Sequence, residues 1–226
     1  MTTHRTRRTE SIGRARVEAL SDGVFAIVVT LLVLEITVPH VPTASTAALM
    51  DVLLALAPKF ISWVISFVTV CVIWLNHHRL LALASRIDSG LFWLNSNLLL
   101  WTSLVPFPTA LIGDYPTSAL AVSFYGAAMC MVAVAFVLAR WHMHRHPELL
   151  HEEVDGRAFR AATRSSIAVG PIAYALAAGL AWLSQPVAFV CYAAIAAYFV
   201  FQRSVQRSPS TSDSDNGAAT FGPPSV

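Results

Sequence analysis

The residues best placed to do chemistry in this sequence are ionisable and amide side chains that interrupt long apolar runs. Asp22 follows a basic segment, and Asn76, His77 and His78 stand at the end of the second apolar run. A carboxylate near a histidine is typical of a proton relay in membrane proteins, and histidine is also a common metal ligand. Adjacent residues on a helix point about 100° apart, so His77 and His78 share one metal ion poorly. A buried polar network that holds the helices together is the favoured interpretation, and a proton relay stays open.

A second group of histidines follows the fourth apolar run: His142, His144, His146 and His151. Such a tract can bind metal, and a solvated loop at the membrane interface explains it as well. The sequence holds no paired nucleophile and base, no HExxH motif and no glycine-rich loop that cradles phosphate. It therefore predicts neither an enzyme nor a resident cofactor or metal.

The composition indicates the environment in which these groups lie. Of the 226 residues, 56% are hydrophobic and 12% are charged, whereas a soluble domain carries about 25% charged residues. These figures exclude an ordinary soluble enzyme, a disulfide-stapled secreted domain and a disordered regulator. The net charge of +2, spread over dispersed basic residues, excludes a nucleic-acid partner. We therefore expect an all-α integral membrane protein, with Cys71, Cys130 and Cys191 as buried, inert thiols.

Six segments are apolar and long enough to cross a bilayer as helices, since a crossing needs about 20 residues. They are 19–38, 54–75, 90–112, 117–140, 164–184 and 186–204. With six crossings, every lysine and arginine except Lys59 falls on one side of the membrane. By the positive-inside rule that side is the cytoplasm, and both termini lie there.

The two ends of the chain differ in composition from the apolar middle. Residues 1–13 are basic, and residues 208–226 are rich in serine, proline, aspartate and glycine. Segments of this kind bury too little apolar surface to fold alone. We expect both to be disordered, flanking a six-helix transmembrane domain over 14–207.

The predicted orientation places the polar groups of three helices at a similar depth in the cytoplasmic leaflet. Asp22 lies on the first helix, the histidine pair ends the second, and Asn95 lies near the start of the third. Unpaired polar groups are costly in a membrane, so a shared cluster is expected. In it Asp22 accepts a hydrogen bond from a histidine or from Arg16, and asparagines fill the remaining sites.

One face of the first helix carries a regular apolar pattern. Gly23, Ile27, Thr30, Leu31 and Leu34 recur at helical spacing. From periodicity alone, packing in the subunit core is the simpler interpretation. Glu35, near the outer end of the same helix, either belongs to an acidic ring that concentrates cations or pairs with a neighbouring helix.

The segment from Arg16 to Ile27, RVEALSDGVFAI, resembles the RxxxFSD signature of the transmembrane protein 175 family. These are potassium-permeable channels of endolysosomes with smaller bacterial relatives. The similarity continues through WLNHHR at 74–79, Asp88, Leu94-Asn95 and Pro106-Phe107, and covers about residues 14–112. Leu20 stands where the signature has phenylalanine, so we expect altered packing with function kept.

The resemblance implies a homotetramer in the plasma (inner) membrane of a bacterium, with four first helices lining a pore for monovalent cations. No re-entrant carbonyl-lined loop is expected, and the sequence has no TVGYG-like stretch. The resemblance places the hydrophobic constriction at Ile27, Leu31 and Leu34, with Thr30 as a polar neighbour that influences selectivity. It also implies a stabilising network of the Arg–Ser–Asp and His–His residues. With Asn95 from the depth argument, the predicted network is Arg16, Ser21, Asp22, His77, His78 and Asn95.

The expected function is a modestly selective potassium channel whose partners are the bilayer, permeant K⁺ and copies of the same chain. A proton-conducting or proton-coupled transporter that uses Asp22 with His77 and His78 is the alternative. The two differ in whether flux depends on potassium or on a pH gradient.

Overall fold

A computed structural model describes residues 13–39, 45–152, 154, 159 and 170–205, the last five by their backbone alone, and these ranges are mainly helical. The helices are α1 (Arg14–Leu34), α2 (Thr46–Ala55), α3 (Ala57–Ala82), α4 (Ser89–Ser103), α5 (Pro106–Asp114), α6 (Ala119–Arg145), α7 (Gly170–Leu180) and α8 (Gln185–Val205). A 3₁₀ turn, Pro147–Leu149, follows α6. In these ranges the only strand-like pairing is one antiparallel bridge between Ala84 and Leu150. The all-α class predicted from the sequence is confirmed.

Three of the helices in the described ranges, α1, α3 and α6, are long and apolar enough to cross a membrane. The shortest of them, α1, has 21 residues, which at 1.5 Å per residue spans about 30 Å, the thickness of the hydrocarbon layer. The chain is therefore a membrane protein. Residues 1–12 of the N-terminal segment expected to be disordered, all of the expected disordered tail 208–226, and the start of the fifth predicted crossing, 164–169, lie outside the described residues.

The third predicted crossing, 90–112, consists of two helices instead of one. α4 ends at Ser103, and α5 begins at Pro106, which occupies its first turn. Proline has no backbone N–H, and its ring clashes with the preceding turn, so a continuous helix through Pro106 is disfavoured. The break lies at Leu104 and Val105.

The helix at the fourth predicted crossing is longer than predicted, and this moves part of the histidine tract. α6 extends to Arg145, so His142 and His144 lie on its last two turns instead of in a loop. Basic side chains near a helix C-terminus interact favourably with the helix dipole, which supports this extension.

The cysteines differ from expectation as well. Cys71 is exposed, and Cys130 and Cys191 are only partly buried. The expectation of three buried thiols was wrong because each membrane helix turns one apolar face away from the subunit core.

Among the described residues the core has two parts, and α1 contributes to both. The larger part spans most of the subunit and includes Phe25, Val28 and Leu32 of α1. The smaller part lies nearer the start of α1, where Val17 packs with buried residues of the α3–α4 region and α6 such as Leu81 and Met143. One face of α1 is thus fixed along its length by the rest of the subunit.

Candidate functional site

α1 has two contrasting faces. Val17, Ser21, Phe25, Val28 and Leu32 are buried at a spacing that puts them on one side of the helix. The opposite side is not covered by the subunit, and its apolar side chains are exposed. The exposed fractions are 58% for Ile27, 40% for Leu31 and 69% for Leu34. The core-packing interpretation of this face, which periodicity alone favoured, was wrong for the single chain.

Thr30 belongs to the uncovered face, and its hydroxyl forms hydrogen bonds within α1. The side chain is exposed, and its hydroxyl donates to the backbone carbonyls of Ala26 at 3.2 Å and Ile27 at 2.9 Å. A Cβ added at Gly23 would meet no atom within 4 Å. The uncovered face therefore combines apolar side chains, one threonine and one glycine. The hydroxyl hydrogen of Thr30 is already used in a hydrogen bond within the helix.

A buried chain of hydrogen bonds fixes the opposite face of α1 to α3 and α4. Asn95 of α4 donates from Nδ2 to Ser21 Oγ at 3.1 Å, and Ser21 Oγ donates to Val17 O at 2.8 Å. His77 Nε2 lies 2.6 Å from Asn95 Oδ1. Because Oδ1 only accepts, a neutral His77 carries its hydrogen on Nε2. The His77 ring also packs against Phe25, with centroids 5.3 Å apart.

Asp22 and His78 do not join this buried chain. Asp22 is exposed and accepts a hydrogen bond from the indole N–H of Trp74, at 2.8 Å. Trp74 in turn stacks on His78, with ring centroids 6.1 Å apart. Arg16 is exposed, and in the described ranges its side chain makes no hydrogen bond or ion pair. The expectation that Asp22 bonds to a histidine or to Arg16 was wrong.

The predicted network splits into two groups because it includes two pairs of residues that are adjacent in the sequence. Adjacent residues on a helix point about 100° apart, so Ser21 turns inward while Asp22 turns outward, and His77 and His78 separate in the same way. The signal for the missing partner was present in the sequence. Trp74 lies four residues before His78, on the same face of α3.

Arg14 fixes the start of α1, although the sequence analysis counted it only as a positive charge. Its guanidinium donates to the backbone carbonyl of Ala84 at 2.9 Å and lies 3.3 Å from Nε2 of His151. The segments it contacts are themselves paired, since Ser85 N–H donates to Leu149 O at 2.7 Å. Arg14 thus ties α1 to the α3–α4 turn and to the chain after α6.

Asp88 and His142 connect α4 to α6 near the same end. The Asp88 carboxylate caps α4 by accepting the Leu91 N–H at 2.7 Å, and both its oxygens lie 3.1 Å from Nε2 of His142. A Cβ on Gly90 would lie 2.5 Å from Cε1 of His142, so the ring reaches Asp88 only over a glycine. Burial raises the pKa of Asp88, but the Leu91 and His142 hydrogen bonds outweigh it and hold the pKa below its usual value.

Two of the remaining histidines of the tract contact single polar partners, His151 beside Arg14 and His146 beside Glu148. His146 Nδ1 lies 3.1 Å from Glu148 Oε1, and the rings of His142 and His146 are 4.5 Å apart. Among the described residues, no three side chains of ligand type converge as a metal site requires.

Replacing Asp88 with alanine should lower the stability of the protein by about 1 kcal/mol, since the first turn of α4 loses its cap. The lowered pKa means that the carboxylate form stabilises the fold, fully above the unfolded pKa of about 3.9. This contribution is lost as pH falls through the folded value. Thermal unfolding at neutral pH should therefore separate wild type from Asp88→Ala, and the gap should narrow below about pH 4. A gap that widens in acid would contradict the assignment.

Comparisons with known proteins agree with this architecture. The sequence pattern of the family described as "Endosomal/lysosomal potassium channel TMEM175" matches residues 16–106. A potassium channel of Streptomyces collinus is 37% identical over 192 residues, covering 83% of this chain and 92% of that protein. A potassium channel of Chamaesiphon minutus is 38% identical over 194 residues, covering 83% and 93%. The human endosomal/lysosomal proton channel TMEM175 is 31% identical over 141 residues, which span 28% of its length.

Solved structures show the same relationship. The crystal structure of a lysosomal potassium-selective channel TMEM175 homolog from Chamaesiphon minutus superposes with a TM-score of 0.73 at 35% identity, covering 84% of this chain and 97% of that one. The potassium channel MtTMEM175, at 18% identity and a TM-score of 0.60, shares the fold. The fold and the relatives together define a helical membrane protein of the ion-channel class, not an enzyme. The chain belongs to the TMEM175 family.

Proposed function

We propose that this protein is a potassium-permeable, modestly selective cation channel of the cell membrane. In this proposal four copies assemble with α1 around a central axis, each chain crosses the membrane six times, and both termini lie in the cytoplasm. The bacterial relatives named as potassium channels support potassium as the permeant ion. No resident cofactor takes part in permeation.

The uncovered face of α1 carries the proposal. One side of the helix is fixed by buried packing and by the Asn95 hydrogen bonds, while Ile27, Leu31 and Leu34 stay exposed on the other. A rigidly held helix with an unoccupied face is suited to line a shared pore. On that face Gly23 has no side chain, so neighbouring helices can approach closely, and the oxygen of Thr30 can contact water.

Rings of Ile27, Leu31 and Leu34 would form a poorly wetted constriction. These positions span seven residues, or about 10 Å along the helix. An ion that crosses must shed part of its water and receives no carbonyl oxygens in exchange. Potassium holds its water less tightly than sodium, so it passes more easily. Discrimination stays modest because no coordination shell matches the ion's size.

A liposome flux assay tests the proposal. Purified wild-type protein is reconstituted into vesicles loaded with potassium or with sodium, and ion efflux is compared with that of protein-free vesicles. We expect potassium efflux to exceed sodium efflux. Efflux no faster than in protein-free vesicles, or equal efflux of the two ions, would overturn the proposal.

Proton conduction is a second candidate, favoured by the animal relatives that are named proton channels. A relay from Asp22 to the histidines lacks direct support from the contacts. Asp22 bonds to Trp74, and His77 bonds to Asn95. The same vesicles with a pH-sensitive dye separate the candidates, since proton flux that persists without potassium would favour proton conduction.

A further inference from the structure

The outer end of the subunit holds a small cavity between α1, α3 and α5. It is lined by Glu35, which follows α1, by Lys59 and Trp63 of α3, and by Gly113 of α5. Glu35 comes directly after Leu34, the outermost proposed ring residue, and it is exposed. Lys59 and Glu35 thus line the same cavity.

Lys59 is the only lysine in the sequence, and no arginine joins it on the side that the proposed topology makes the outer one. Its ammonium lies 2.5 Å from Oδ1 of Asp114, at the end of α5. This contact depends on close helix packing, because a Cβ on Gly113 would lie 3.3 Å from both Cα and Cγ of Lys59. α5 is thus brought near enough to hold the ammonium.

We propose that Asp114 sets the charge of the outer mouth by holding Lys59 away from Glu35. This inference rests on the proposed function, because it requires Glu35 to face incoming cations. A lysine is a point charge on a flexible four-carbon stem. Glu35 is the one carboxylate among the described residues that line the cavity, and Asp114 lies just beyond it, next to Gly113. Once Asp114 is neutral, the freed ammonium pairs with Glu35, and the mouth loses negative charge.

The effect should depend strongly on salt. A negatively charged mouth raises the local concentration of cations, and this gain disappears when the ionic strength is high. The screening length is about 30 Å at 0.01 M salt and about 3 Å at 1 M. A charge change at Glu35 should therefore alter conductance in dilute potassium and have little effect in concentrated potassium.

The test is single-channel recording of the full-length protein in planar bilayers at about 10 mM and about 1 M potassium. We expect Asp114→Asn to lower conductance about two- to five-fold at low salt, with no comparable change at high salt. Adding Lys59→Gln to Asp114→Asn should restore the wild-type value. In a Glu35→Gln background, Asp114→Asn should have no further effect.

Asp51→Asn is the matched control, because Asp51 is an exposed carboxylate on α2 outside the cavity. A low-salt loss in Asp51→Asn equal to that in Asp114→Asn would overturn the inference. The inference would also be overturned if the low-salt conductance of Asp114→Asn stayed low after Lys59→Gln was added. A folded Asp114→Asn channel with wild-type conductance at low salt would overturn it as well.

If Asp114→Asn fails to fold, the Lys59→Gln variant alone decides the question. A low-salt conductance of Lys59→Gln at or above the wild-type value supports the inference, and a lower one contradicts it. If wild-type channels prefer potassium but the conductance of these variants does not change as expected, the inference about Asp114 is wrong and the proposed function is unaffected.

Discussion

The Ile27→Asn channel should conduct sodium nearly as well as potassium. Asparagine replaces a branched apolar side chain with an amide that both donates and accepts hydrogen bonds, so the ring at this position becomes wetted. A sodium ion then keeps more of its hydration water, and the step that favoured potassium is removed. We expect the potassium-to-sodium flux ratio to fall toward one and the total flux to rise severalfold in the liposome assay.

Ile27→Val is the control for this substitution. Valine keeps the branching and the apolar character of the ring, so the flux ratio should stay above one. Ile27 is exposed in the single chain, so neither substitution should unfold the subunit, and gel filtration checks this. An Ile27→Asn channel that elutes normally and keeps the wild-type ratio would show that Ile27 does not form the constriction.

The second large effect is expected from Asn95→Ala, which removes the side chain that bridges α1 and α3. Ser21 and His77 would each lose a buried hydrogen-bond partner. Such losses cost about 1–3 kcal/mol each in proteins generally, and about 1–2 kcal/mol or less between membrane helices. We expect the free energy of unfolding to fall by about 2 kcal/mol, measured by thermal or denaturant unfolding in detergent.

Asn97→Ala provides the comparison, since Asn97 is only half-buried and lies two residues further along α4. Its truncation should change stability by less than about 0.5 kcal/mol. If both alanine variants lose the same stability, the cost belongs to α4 in general and not to the bridge between the helices.

The sequence predicted the helices better than it predicted their ends. Apolar run length locates a crossing, because the bilayer requires about 20 residues. It does not show that Pro106 divides the third run into α4 and α5, since proline kinks one membrane helix and ends another, depending on which neighbours satisfy the freed carbonyls. It also missed the extension of α6 to Arg145, which moved His142 onto the helix.

The polar residues were predicted to meet, and their pairing was only partly foreseeable. Depth in the membrane brings Ser21, His77 and Asn95 to one level, and the structure joins them. Which neighbour turns inward depends on the rotation of each helix, which tertiary packing fixes. Asp22 and His78 were for that reason assigned to the wrong group.

The contacts of Arg14 and Lys59 could not be read from the sequence. Both were counted only as charges that set the orientation. Arg14 bonds to the carbonyl of Ala84, and that position is defined by the turn between α3 and α4. Lys59 meets Asp114 because α5 folds back along α3 at Gly113. Contacts between residues so distant in the chain follow from the assembled fold.

Cysteine scanning of α1 with silver ions tests the central claim most directly. Silver is a small monovalent cation that binds thiolates tightly. Cys71, Cys130 and Cys191 are first replaced by alanine, and single cysteines are then placed at each position from 27 to 34. The account predicts that silver blocks potassium flux through channels carrying Ile27→Cys, Leu31→Cys or Leu34→Cys and spares those carrying Val28→Cys or Leu32→Cys. If silver fails to block the channels with cysteine at Ile27, Leu31 or Leu34, or blocks those with cysteine at the buried positions instead, α1 does not line the pore as proposed.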